Sequence, residues 1–92
     1  MGFDSAKQQA IQALQNRQFR HERRTGERKN LLELGVVSIE QAIEILGSTK
    51  GQEATSSRSH YDNSIEVWIF KPTGWYIKFY LVDQCWFISF HQ

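Results

Sequence analysis

The chain has 92 residues, 40% of them hydrophobic and 23% charged, and a formal net charge of +1; this is enough for one small core and excludes binding driven by net charge alone. Its single cysteine, Cys85, excludes an internal disulfide framework and any metal centre built from several thiolates, and it suits a reducing compartment. No apolar run approaches the length of a membrane span and no signal-peptide pattern opens the sequence, so a cytoplasmic protein without membrane association is expected.

Ser5 reads as the N-cap of the first helix, with Gln8 closing a capping box three residues on. From Ala6 to about Gln18 neither Gly nor Pro interrupts the pattern. Ala10, Ile11 and Leu14 form a narrow apolar stripe, and Phe19 is expected to end the helix as an anchor. Of the eleven Lys and Arg, Arg17, Arg20, Arg23, Arg24, Arg28 and Lys29 fall between positions 17 and 29. The run from Arg20 to Lys29 lacks an apolar period and is predicted to be a basic loop turning at Thr25-Gly26. Such a run suits phosphate or an acidic partner; diluted by Glu22 and Glu27, it also suits plain solvation.

Asn30 is placed to cap a short helical piece, Leu31-Leu32-Glu33-Leu34, that Gly35 stops. The next helix has the fullest set of signals. Ser38 caps it, Gln41 completes a capping box, Val37 can staple to Ala42, and Ile39, Ala42, Ile43 and Leu46 line one face before Gly47. The polar stretch from Ser48 to Ser64 predicts a functional loop, an edge strand near Ala54 to Ser59, or both. Arg58, His60, Tyr61 and Asp62 gather at its end, either as a second place for chemistry or as a satisfied turn.

Ile65 to Phe70 is a strand, closed by Lys71-Pro72-Thr73-Gly74. Tyr76 to His91 then reads as two antiparallel strands about a turn at Asp83-Gln84, or a longer loop with the same centre. That register pairs Leu81 with Trp86, Phe79 with Ile88 and Ile77 with Phe90 on a core face. Tyr80 with Phe87, Lys78 with Ser89 and Tyr76 with His91 fall on the other. Ile65, Val67 and Ile69 are expected over the core, because the opposite register buries Glu66. The expected architecture is α+β, in one domain of residues 1–92. Helices within about 5–47 pack on one face of a small antiparallel β-sheet, followed by the polar segment 48–64 and a β-meander over 65–91.

The six glycines form no nucleotide-cradling loop, and His21, His60 and His91 lack the spacing of metal ligands, so neither a cofactor nor a metal is expected. Tyr76, Lys78 and His91, with His60, Arg58 and Glu66 as further members, suit RNA cleavage by the internal 2′-hydroxyl. The substrate brings its own nucleophile, and the protein needs only to move two protons and stabilise the phosphate. Arg20, Arg23, Arg24 and Arg58 are the candidates for binding RNA.

In order, the chain resembles the MqsR family of bacterial toxins, small ribonucleases of toxin–antitoxin systems with a RelE-like fold. The resemblance rests on the N-terminal helix and basic loop, Asn30-Leu31-Leu32-Glu33-Leu34-Gly35, the capped helix ending Ile45-Leu46-Gly47, Tyr61-Asp62, Phe70-Lys71-Pro72, Tyr76-Ile77-Lys78 and Ile88-Ser89-Phe90-His91. It implies an endoribonuclease, either sequence-selective or ribosome-linked, whose partners are RNA, mRNA in particular, and an antitoxin protein. It makes Tyr76 the family's active-site tyrosine, and it puts His91 where the family carries a basic residue after Ser-Phe, here histidine rather than lysine. The family's lysine before the first long strand has no match, leaving Arg58 or His60 to substitute, and its glutamine in the strand before the hairpin has none either. The alternative is a module that binds RNA or a protein without catalysis, including a phage or mobile-element inhibitor.

Overall fold

The computed structural model describes residues 1–24 and 29–92. It is α+β, with two helices and a five-stranded mixed sheet in the order β1-β5-β4-β3-β2. Helix α1 is Phe3–Gln15 and α2 is Ile39–Gly47; the strands are β1 Phe19–His21, β2 Ala54–Arg58, β3 Glu66–Phe70, β4 Tyr76–Val82 and β5 Gln84–His91.

Ser38 accepts from the Gln41 amide while the Gln41 side chain accepts from the Ser38 amide, so α2 starts as its capping box predicts. Helix α1 does not start at Ser5. Its N-cap is Gly2, without a side-chain cap, and the added turn seats the Phe3 ring 5.3 Å from that of Phe70. Ala6, Ala10 and Leu14 are its fully buried positions. The piece after Asn30 is one helical turn: Asn30 Oδ1 accepts from the Glu33 amide, and Gly35 ends it at φ +78°. The turn expected at Thr25-Gly26 lies outside the described residues.

Helix α1 stops at Gln15, short of the end expected at Phe19; the chain turns through Arg17 at φ 58° and forms β1, where the helix end and the start of the basic loop were expected. β1 runs parallel to β5, with Phe19 beside Cys85 and His21 beside Phe87, so the sheet is mixed rather than antiparallel. Phe19 is the reason: its ring joins the core at 6.1 Å from Phe87, which holds the three-residue strand on the sheet edge.

The hairpin keeps its outer pairs, Tyr76 with His91, Ile77 with Phe90 and Lys78 with Ser89. Nearer the turn the register shifts by one. Asp83 alone occupies the turn at φ 63°, Val82 faces Gln84, and a bulge opposite Lys78/Phe79 absorbs the extra β5 residue. Phe79 therefore meets Phe87 in the core, and Tyr80 meets Trp86 on the other face.

The β3 register is also the reverse of the expected one. Trp68 pairs with Phe79 and Val67 with Tyr80, so Trp68 and Phe70 face the helices. The flip does not bury Glu66, which stands at the start of β3 with its side chain 31% exposed. Its carboxylate accepts from Ser56 Oγ at 3.0 Å and lies 3.9 Å from the Met1 amino group. The core is thus α1 and α2 over Trp68, Phe70, Ile77, Phe79, Cys85, Phe87 and Phe90. Among the described residues no helix is long and apolar enough to cross a membrane.

Candidate functional site

Neither α1 nor α2 packs on the other face of the sheet. By strand alternation it carries Arg20 of β1; Trp86, Ile88, Ser89 and His91 of β5; Tyr76, Lys78 and Tyr80 of β4; and Val67 and Ile69 of β3. Ile88 and Ser89 both point this way because the bulge gives β5 an extra residue.

At one end Tyr76 and His91 stack, with ring centroids 5.1 Å apart and planes 18° from parallel. His91 Nδ1 lies 2.9 Å from the Gln92 backbone oxygen. That oxygen only accepts, so Nδ1 carries the hydrogen, and in the neutral ring Nε2 holds the lone pair. Lys71 enters from the β3–β4 connection, its Nζ 5.7 Å from the centre of the Tyr76 ring. Lys78 is the next residue of β4 on this face and pairs with Ser89. A base, a phenol and two ammonium groups thus share one end of the sheet.

The other end is closed. Tyr80 is 8% exposed and donates its O–H to Glu22 Oε1 at 3.1 Å; Arg24 Nε donates to Glu22 Oε2 at 2.8 Å. The Arg24 guanidinium sits 4.9 Å from the centre of the Tyr61 ring and 5.8 Å from that of Tyr80. Burial first, and the Glu22 carboxylate next, push the Tyr80 phenol up to about 12. Ile65, Val67, Ile88 and Trp86 fill the space around Tyr80 as a second, smaller apolar cluster.

The expected site residues divide between these ends. Tyr76, Lys78 and His91 come together. His60 does not join them: it is exposed in the bend after β2, and β2 ends beside Glu66, at the Tyr80 end. The turn reading of its neighbours holds, since Asp62 Oδ1 accepts from both the amide and the hydroxyl of Ser64, which lowers the Asp62 pKa. Arg58 pairs with Glu66 and so shares its face, opposite the Tyr76–His91 pair. Arg23 is held by Glu33 at 3.3 Å, and Arg24 by Glu22. Arg20 is exposed beside Trp86.

His21 is structural. Its Nδ1 accepts from Asn30 Nδ2 at 2.9 Å, and its ring packs on Phe19 and Phe87; burial lowers its pKa, against the opposing pull of Glu33. Cys85 is buried, which pushes its thiol well up and leaves it inert. Sequence reasoning missed Lys71, Glu22 and the Tyr80–Trp86 pair. Lys71 was findable, because a residue following β3 falls across from Tyr76 once Phe70 pairs with Ile77. Among the described residues, no three His, Cys, Asp or Glu side chains converge as a metal ion requires.

No family model, curated protein or solved structure matches this chain. The functional reading therefore rests on the side chains of the open face.

Proposed function

We propose that the protein is a metal-independent endoribonuclease, the toxin of a toxin–antitoxin system of the MqsR type with a RelE-like fold. The observation that carries this reading is the Tyr76–His91 pair, with the Nε2 lone pair of His91 on an open sheet face near Lys71 and Lys78. In this reaction His91 Nε2 takes the proton of a ribose 2′-hydroxyl, and the 2′-oxygen attacks the adjacent phosphorus. The bond to the 5′-oxygen breaks, leaving a 2′,3′-cyclic phosphate and a 5′-hydroxyl that receives its proton from Tyr76 or Lys78. The ammonium groups offset the charge that builds on the phosphate. The partners are RNA and an antitoxin protein that neutralises the enzyme in the cytoplasm.

One observation favours a second reading. His60 stays away, so a single imidazole stands where two were expected, and the same face suits a module that holds RNA without cutting it. Incubation of the purified protein with mixed RNA in EDTA, beside His91→Ala, separates the two. The nuclease leaves 2′,3′-cyclic phosphate ends, and His91→Ala loses them while keeping its affinity within a few-fold. Intact RNA with a folded, partner-free protein would sink the nuclease reading in favour of the binding module.

A further inference from the structure

Trp86 packs at the edge of the small apolar cluster around Tyr80 and takes no part in the Tyr76–His91 pair. It is half-buried on the open face, its ring 5° from parallel with Tyr80 at 6.0 Å, and its Nε1 donates to the Val82 carbonyl at 3.1 Å. Stacking from one side and a hydrogen bond at the rim fix the indole in one orientation. Such a ring receives a flat ligand without losing rotamer freedom. Its neighbour across the β1–β5 ladder is Arg20, exposed on the same face. Arg23 and Arg24 are each paired with a carboxylate, so among the three arginines of this segment Arg20 is the one in no ion pair found among the described residues.

A fixed aromatic face beside an exposed guanidinium suits a nucleotide: the base stacks and the phosphate meets the arginine. We infer that Trp86 and Arg20 form a second nucleotide position on the open face, holding a base of single-stranded RNA away from the phosphate at His91. Tyr76 and Tyr80, the cross-strand partners of His91 and Trp86, stand four positions apart on β4. That is about 14 Å, the length of roughly two to four nucleotides depending on how far the strand is drawn out beyond its stacked rise. Lys78, half-buried on the same face, lies between the two positions, so one strand can pass from the His91 end to Trp86. The identity of the group at His91 rests on the ribonuclease reading; the stacking position does not.

The test uses the full chain and labelled 2′-O-methyl oligonucleotides, which lack the attacking hydroxyl and stay intact while binding is followed by anisotropy. A dinucleotide reports the His91 end alone, and a hexanucleotide spans both positions. The wild type is expected to bind the hexanucleotide more tightly by about ten-fold or more. Trp86→Ala and Arg20→Ala lose most of that gain, and Trp86→Phe, which keeps an aromatic face, retains most of it. Should Trp86→Ala fail to fold, Arg20→Ala and Trp86→Phe decide. The inference is overturned if length brings no gain, or if the gain survives in folded Trp86→Ala, which would leave this pair to a protein partner. A Trp86-dependent gain in a protein that cleaves no RNA supports the nucleotide position while ending the nuclease reading. Cleavage combined with Trp86-independent binding does the reverse.

Discussion

Tyr76 and Tyr80 stand on the same face of the same strand, four residues apart, in opposite surroundings. Tyr80 is roofed by Arg24 and Trp86, and its hydroxyl is committed to Glu22. Tyr76 is half-buried between an imidazole and an ammonium group. Burial beside a carboxylate keeps one phenol protonated and structural, whereas the other has groups around it that can move protons and hold phosphate. One sheet face thus supplies a small core at one end and a chemical surface at the other.

The sharpest way to break this comparison is turnover. His91→Ala is expected to lower RNA cleavage by about 10²–10⁴-fold, the usual worth of a general base, with Tyr80→Phe staying near wild type. Equal losses from both would place the chemistry elsewhere. Stability sharpens the comparison next. Ile88 is 2% exposed within the closed end, so Ile88→Ala is expected to cost about 2–5 kcal/mol in denaturant unfolding. Ile69→Ala, on the open end and half-buried, costs less.

The smallest effect is a pH dependence. Unfolded tyrosine ionises near 10, whereas folded Tyr80 keeps its proton to about 12. Between those values the unfolded state binds fewer protons, so stability falls as pH rises across the interval. Tyr80→Phe flattens that alkaline limb in thermal melts, and an unchanged slope would show that the phenol is less enclosed than its contacts indicate.

Helix α2 was legible in the sequence because period and capping agree there, and α1 by its apolar period alone, its cap at Ser5 having been misplaced. Tyr76 met His91 because the shortened turn and the bulge cancel: beyond Lys78 the register returns to the one set by a turn centred on Asp83-Gln84. The inner pairs were not legible: a β-bulge leaves no mark on the apolar pattern, and Asp83 in the left-handed region shortens the turn without a glycine to announce it. For β3, both faces are apolar, Ile65, Val67 and Ile69 on one and Trp68 and Phe70 on the other. The choice then rested on Glu66, and its position at the strand start, with Ser56 and the Met1 amino group beside it, removed the penalty that argument assumed. His60 and Arg58 were placed by their nearness in sequence to β3, but the direction of β2 carries them to the Tyr80 end.

The parallel ladder of β1 on β5 joins positions far apart in the chain, Phe19 with Cys85 and His21 with Phe87. Loop-closure entropy makes a contact of such separation expected to follow the local β4–β5 hairpin in folding. A three-residue edge strand is also among the first elements to open under mild stress. Glu22, which tethers Tyr80, and Arg20 beside Trp86 both hang on that strand. The closed end of the sheet is therefore set to be its more labile end, while Tyr76 and His91, on the central hairpin, keep their geometry when the edge lifts.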